Sequence, residues 1–329
     1  MSIVAIFGAG SWGTTLAVHL AKAGHDVRIW GHDRDELAAL ERDRENAKFL
    51  AGIRLPDGVK VQPQLEAALE GAEVHLYVVP SQAVRPVAEK VAALGVRATP
   101  VCASKGLELG TLRRLSQVLS EALADPAPVI LTGPSHAEEV AVGIPTSIVA
   151  ACVDEARARE VQMLCATPRL RVYTNSDVIG CEYGGALKNV IAIAAGVCDG
   201  LGYGDNTKGA LLTRGLSEIS RLGQAMGGKR ETFFGLTGMG DLIATAMSRH
   251  SRNRHVGERL GRGETIEQIL GGMVMVAEGV NTARAARDLA RSRGIEMPIT
   301  EQICAVLLEG RAPEDALLAL MTRDLKSES

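Results

Sequence analysis

The sequence predicts an α/β domain with a doubly wound parallel sheet, followed by an all-α domain. Three observations carry that prediction. Short, continuously apolar runs alternate with amphipathic stretches through the first half, as strands buried on both faces do when helices join them. From about Tyr183 onward strand-like runs stop and apolar residues recur at helical spacing. A glycine cluster, Gly8-Ala9-Gly10-Ser11-Trp12-Gly13, stands between the first apolar run and the first amphipathic stretch.

Ile3–Phe7, Val27–Trp30, Val74–Val79, Val101–Ala103 and Val129–Leu131 read as buried parallel strands. Thr14–Ala23, Asp35–Glu45, Ala83–Leu94 and Leu112–Leu123 read as the helices between them. Thr146–Ala150, Glu155–Cys165 and Arg171–Tyr173 add one more β-α-β unit. In the second half Gly184–Gly196, Lys208–Met226, Asp241–Ala246, Thr265–Leu270, Thr282–Ser292 and Thr300–Leu308 read as helices. Pro313, harmless in a first turn, opens a last helix that runs to about Met321. The expected domains are residues 1–180 and 181–329, sharing a tight interface because no Pro/Ser linker separates them.

Composition narrows the function. A chain of 329 residues suits two domains, and 46% hydrophobic with 23% charged residues excludes a disordered or fibrous protein. A net charge of −3 and only 3% aromatics argue against a nucleic-acid partner. The six cysteines form no CxxC pair and have no histidine at zinc spacing, so no metal site is expected and reduced thiols are. Ser2–Phe7 is already strand-like, which leaves no room for a signal peptide, and the apolar stretch Val190–Cys198 is too short to span a membrane. The expectation is a soluble, cytoplasmic protein.

Gly8–Gly13 follows a strand and opens a helix, inside a β-α-β unit that closes at Trp30. In a dinucleotide site the three glycines do different things. Gly8 makes the tight turn, Gly10 lets backbone approach a pyrophosphate, and Gly13 lets the helix pack on the sheet. The helix N-terminus then offers unpaired N–H groups and a positive dipole end to the phosphates. The second strand ends Trp30-Gly31-His32-Asp33-Arg34, where an NAD-selective site wants a carboxylate. His32 and Arg34 suit a 2′-phosphate, while Asp33 stands one position late for a ribose acid. The residues lean to NADPH and leave NADH open.

Four further clusters need a chemical reason. Ser104-Lys105-Gly106 follows a strand, at the carboxyl edge where open α/β sheets bind ligands. Gly133-Pro134-Ser135-His136-Ala137 follows another strand and opens a helix. Gly185-Ala186-Leu187-Lys188-Asn189-Val190 opens a helix that is otherwise apolar on nearly every face. A lysine there either snorkels out or sits partly dry, where desolvation lowers its pKa toward a value useful for proton transfer. Gly240-Asp241-Leu242 leads to Ser251-Arg252-Asn253, whose hydroxyl, guanidinium and amide suit a phosphate monoester, although a solvated helical face would look similar.

These clusters, with Gly204-Asp205-Asn206, occur in the order and spacing of the bacterial-type NAD(P)-dependent glycerol-3-phosphate dehydrogenases, and the chain resembles that family from residue 2 to about residue 320. The resemblance implies reversible hydride transfer between C4 of a nicotinamide and C2 of dihydroxyacetone phosphate, giving sn-glycerol 3-phosphate for glycerophospholipid synthesis. It implies Lys188 as proton donor and acceptor. Lys105, Gly133, Ser135, Lys188, Asp241, Ser251, Arg252 and Asn253 would hold the substrate, with Asn189 and Thr245 as further contacts. Ser11, Trp12, His32, Lys105, Ala137, Arg252, Val276 and Glu278 would line the coenzyme beside Gly8, Gly10 and Gly13. A homodimer is expected from the family and from base rates for symmetric enzymes.

The departures are few. His136 stands where the family more often has an aromatic, and Ala246 and Met247 replace a cysteine-containing sequence. Two other readings compete: a hydroxyacid or ketopantoate-type reductase of the same two-domain plan, and a non-catalytic NAD(P) sensor, against which the presence of both Lys105 and Lys188 argues.

Overall fold

The computed structural model describes residues 1–325 and 327. One sheet contains eight strands: β1 (Ile3–Phe7), β2 (Asp26–Trp30), β3 (Val59–Val61), β4 (Val74–Tyr77), β5 (Thr99–Cys102), β6 (Val129–Thr132), β7 (Thr146–Ala151) and β8 (Leu170–Asn175). Their spatial order is β3-β2-β1-β4-β5-β6-β7-β8. The first six pair in parallel, and their order is that of a Rossmann sheet, with the ligand crevice where the winding reverses between β1 and β4.

Seven helices cover this sheet: α1 (Ser11–Lys22), α2 (Arg34–Asp43), α3 (Leu65–Leu69), α4 (Val84–Ala93), α5 (Leu115–Leu123), α6 (Ala137–Ala141) and α7 (Glu155–Cys165). Leu16 and Leu20 of α1, Leu40 of α2 and Val161 of α7 share one apolar cluster with Ile6, Ile29 and Leu131 of the sheet. Leu65, Val84, Val91 and Val118, from α3, α4 and α5, share another with Phe7, Tyr77 and Ile130. Strand residues of alternating parity feed the two clusters, so both faces are buried and the runs read as continuously apolar.

Strand β7 pairs antiparallel with β6 and parallel with β8. The expected β-α-β unit is present, but it enters the sheet reversed. The chain between β6 and β7, residues 133–145, holds only the five-residue α6. It returns into the sheet from the edge at which β6 ends, which keeps Gly133–His136 at the carboxyl edge of the parallel strands.

The second half is helical: α8 (Val178–Gly200), α9 (Asp205–Ala225), α10 (Arg230–Phe233), α11 (Asp241–Met247), α12 (Arg252–Gly261), α13 (Ile266–Gly271), α14 (Glu278–Ser292), α15 (Pro298–Glu309) and α16 (Pro313–Met321). Helix α8 is its axis, and it extends beyond the expected Gly184–Gly196. It starts where the Asp177 carboxylate accepts the Gly180 amide at 2.9 Å, and Val178 and Cys181 pack against the sheet. Among the described residues it is the one helix long and apolar enough to cross a membrane, yet 94% of its apolar window is buried inside the protein. A helix hydrophobic all round is what a core position demands.

Other elements depart from the sequence pattern. β3 and α3 are too short for periodicity to reveal. Helix α5 begins at Leu115 rather than Leu112, because Leu112 is left-handed (φ 59°) and Arg114 bridges to Leu107. Helix α12 was unforeseen: its sequence, Arg-Asn-Arg-His-Val-Gly-Glu-Arg-Leu-Gly, has two glycines and few apolar positions. Its glycines are the reason it packs. A Cβ on Gly257 would lie 1.9 Å from the Ile193 carbonyl oxygen, and one on Gly196 would lie 1.9 Å from that of Arg254. The two helices therefore touch backbone to backbone.

Candidate active site

A cleft of about 690 Å3 runs along the carboxyl edge of the sheet and against the helical half, within the size range of small-molecule and cofactor sites. At one end lies the glycine turn. Gly8 has φ +117°, its amide donates to the Trp30 carbonyl at 2.7 Å, and a Cβ there would come within 2.5 Å of the Val78 carbonyl oxygen. A Cβ on Gly13 would lie 1.9 Å from the Gly8 oxygen, so Gly13 seats α1 on the turn. Gly10 has nothing within 4 Å of its missing Cβ, and no side chain caps α1. That open, positively polarised helix end fits a pyrophosphate.

Lys188 and Lys105, 83 residues apart in sequence, converge on one carboxylate. Lys188 Nζ is 2.9 Å from Asp241 Oδ1, and Lys105 Nζ is 2.5 Å from Asp241 Oδ2. Asp241, the first residue of α11, is 1% exposed. Lys188 also donates to Thr245 Oγ1 at 2.5 Å, and that hydroxyl donates onward to Asp241 Oδ1 at 3.2 Å. Lys105 donates as well to the Gly133 carbonyl at 2.9 Å.

The electrostatics follow from burial and neighbours. Desolvation lowers the Lys188 pKa to about 8; Asp241 opposes that shift, and the charges of Lys105 and Arg252 add to it. Burial works against ionisation of Asp241, but the two ammonium groups prevail and hold its carboxyl below the usual range. His136, half-buried, has its pKa lowered by desolvation and by both lysines, and its Nε2 lies 3.2 Å from the Ala244 carbonyl oxygen.

The Ser251-Arg252-Asn253 cluster sits at the start of α12. Ser251 caps the helix by accepting the Arg254 amide at 3.1 Å, which leaves its own O–H proton available. Arg252 is exposed to the cleft, and its guanidinium has no hydrogen-bond or ion-pair partner among the described residues. Asn253 is engaged at both ends: it donates to Asn189 Oδ1 and accepts the Gly279 amide, each at 2.9 Å. It ties α8, α12 and α14 together.

The cleft wall contains Gly8, Gly10, Ser11, Trp12, His32, Lys105, Ser135, Ala137, Lys188, Asp241, Ser251, Arg252, Asn253, Val276 and Glu278, together with Asn189 and Thr245. Two residues named from the sequence stand behind it. Gly13 packs the turn, and Gly133 (φ +132°) acts through its carbonyl, which accepts from Lys105 and from Ser135 Oγ. Arg34, considered for a 2′-phosphate, is exposed and lies off the wall; Asp33 caps α2 through the amides of Asp35 and Glu36. Glu278 reaches across to the sheet, accepting the Ser81 amide at 2.9 Å and its hydroxyl at 2.6 Å.

Some wall residues escaped sequence reasoning: Glu36, Lys48, Phe49, Val274 and Met275. None belongs to a glycine cluster or a strand end, so no local pattern distinguishes them from ordinary surface. All six cysteines are buried and unpaired, and no group of three or more His, Cys, Asp or Glu is placed to hold a metal among the described residues.

Comparison with known proteins agrees with this arrangement. Residues 3–158 match the family described as NAD-dependent glycerol-3-phosphate dehydrogenase N-terminus, and residues 177–318 match its C-terminus counterpart. A glycerol-3-phosphate dehydrogenase (NAD(P)+) of Pelodictyon phaeoclathratiforme is 47% identical over 99% of each chain. One from Salinibacter ruber is 51% identical over 99% of this chain and 96% of its own. The crystal structure of glycerol-3-phosphate dehydrogenase from Coxiella burnetii superposes with a TM-score of 0.94 at 37% identity, over 97% of this chain and 98% of that one. With both halves and full-length relatives in agreement, this chain belongs to the NAD(P)-dependent glycerol-3-phosphate dehydrogenases, a family of oxidoreductases.

Proposed function

We propose that this chain interconverts dihydroxyacetone phosphate and sn-glycerol 3-phosphate, with Lys188 as general acid and base. The convergence of Lys105 and Lys188 on buried Asp241 carries the reading. When bound, the coenzyme supplies or accepts the hydride at C4 of its nicotinamide. Ser11, Trp12, His32, Ala137, Val276 and Glu278 would hold it, with the turn from Gly8 to Gly13 and the end of α1 beneath its phosphates.

As C2 of the substrate is reduced, the carbonyl electron pair moves onto oxygen. Lys188 gives that oxygen its proton and becomes a neutral amine; in the reverse direction the amine takes the proton back. Lys105 brings a second positive charge to the same oxygen. Asp241 holds both ammonium groups in place and offsets their repulsion. Arg252, unpartnered, offers its fork of N–H donors to the phosphate, and Ser251 O–H and Asn189 stand beside it. Gly133 and Ser135 support Lys105 and the substrate wall, while Asn253 keeps α12 against α8.

The same reading divides the chain into a dinucleotide-binding domain, residues 1–180, and a helical catalytic domain, residues 181–329; the end of β8 at Asn175 supports that division. It also carries a cytoplasmic homodimer whose product enters glycerophospholipid synthesis.

A purified-protein assay following the reduced nicotinamide band tests this. Dihydroxyacetone phosphate should be reduced and dihydroxyacetone hardly at all. Arg252→Ala should raise KM for the phosphate ester about 30-fold, the equivalent of a charged hydrogen-bond pair worth about 2 kcal/mol. Equal turnover of both ketones would overturn the phosphate assignment and favour a reductase of the ketopantoate type.

A further inference from the structure

The β2 end of the cleft carries charge for which the reaction has no use. Its wall there is Gly31, His32, Asp33, Glu36, Lys48 and Phe49, and in a sheet of this order the residues after the second strand face the adenosine ribose. Asp33 is occupied in capping α2, and Arg34 lies off the wall. One acid and two basic side chains remain. Glu36 and Lys48 form an ion pair, Nζ to Oε1 2.5 Å, and the same ammonium sits 5.0 Å from the centroid of the Phe49 ring.

Lys48 is not on a loose loop. Asn46, 8% exposed, donates its Nδ2 to the Ala9 carbonyl and to Thr14 Oγ1, both at 2.7 Å, and its Oδ1 accepts the Phe49 amide. Leu50 packs in one cluster with Ala137, Ala141 and Trp12. The segment from Asn46 to Leu50 is thereby pinned to the glycine turn, and Lys48 is held at a defined place relative to the coenzyme site.

We propose that the Glu36–Lys48 pair reads the 2′ position of the coenzyme's adenosine ribose. Glu36 accepts the 2′-hydroxyl of NAD(H), and Lys48 pairs with the 2′-phosphate of NADP(H). A carboxylate alone would repel the 2′-phosphate, and a lysine alone would leave the 2′-hydroxyl without an acceptor. With side-chain exposures of 53% for Lys48 and 28% for Glu36, both groups can turn toward the ribose. A pair of opposite charges at one ribose therefore admits either coenzyme. This assignment rests on the coenzyme binding at the glycine turn.

Calorimetric titration of the full chain tests it without turnover. The probes are adenosine 2′,5′-bisphosphate, which carries the 2′-phosphate, and AMP, which carries the 2′-hydroxyl; NADPH and NADH are titrated beside them. Lys48→Gln should weaken the bisphosphate and NADPH about fivefold and leave AMP and NADH unchanged. Glu36→Gln should do the reverse, weakening AMP and NADH about fivefold while NADPH binds as well or better. Shifts of equal size on both coenzymes, or none, would overturn the assignment while leaving the proposed reaction standing. If the wild type binds none of the four probes, the coenzyme site itself falls, and the assignment with it.

Discussion

At the scale of single residues the decisive object is a buried lysine. Lys188 is 5% exposed, on a helix whose other neighbouring faces are apolar, and its ammonium is kept by one carboxylate and one hydroxyl. Burial brings its pKa to about 8, so the sign of its pH dependence is set. Reduction needs the protonated form, and kcat/KM for dihydroxyacetone phosphate should fall as pH rises through about 8. Oxidation of glycerol 3-phosphate needs the free amine and should rise through the same pH. Asp241→Asn removes the anion that favours the ammonium, so both limbs should move to lower pH. Rate profiles at fixed ionic strength check this, and limbs unmoved by Asp241→Asn would detach Lys188 from the role given to it. The lysine was recognisable in the sequence because a charge interrupts an apolar helix; the clusters holding Lys105 and Asp241 stood out on their own, but nothing local in either stretch says that they meet Lys188.

At the scale of elements, the placing of Arg252 depends on how closely α12 approaches α8. The Gly257 backbone rests on the Ile193 carbonyl, with room for hydrogen and nothing larger. Gly257→Ala should push α12 outward, costing about 1–3 kcal/mol of stability. It should also raise KM for dihydroxyacetone phosphate, because Arg252 and Asn253 ride on the displaced helix, with a smaller effect on coenzyme affinity. Urea unfolding and steady-state kinetics on the same sample separate the two effects. Sequence periodicity missed α12, since its buried face consists largely of glycine backbone, which has no hydrophobic signature. The same limit applied to β3, only three residues long, and to the reversed entry of β7, which is decided by a strand partner rather than by its own residues.

At the scale of the whole molecule, the cleft joins two halves that meet across it through Glu278 and Ser81. Coenzyme bound there should stabilise the native state by mass action, about 2.7 kcal/mol at a hundredfold excess over Kd. Gly10→Ala is the discriminating variant. Its added methyl meets no protein atom within 4 Å and leaves the apo fold intact, but it occupies the space above the helix end. Thermal melting should show a clear coenzyme-dependent rise in Tm for the wild type and little for the variant. Equal rises would place the pyrophosphate elsewhere.

The sequence by itself determined the alternation of strands and helices in the first half, the glycine turn that opens α1, and the change to helices after the last strand. These are local matters: apolar periodicity, backbone conformations open to glycine, and the absence of strand-like runs are written within a few neighbouring residues. Only the tertiary structure decided that Lys105 and Lys188 share Asp241, that α12 lies on α8 through its glycines, and that Lys48 pairs with Glu36 at the β2 end of the cleft. Each of those depends on groups far apart in the chain being brought within a hydrogen bond of one another, and burial on both faces of the sheet is what holds them there.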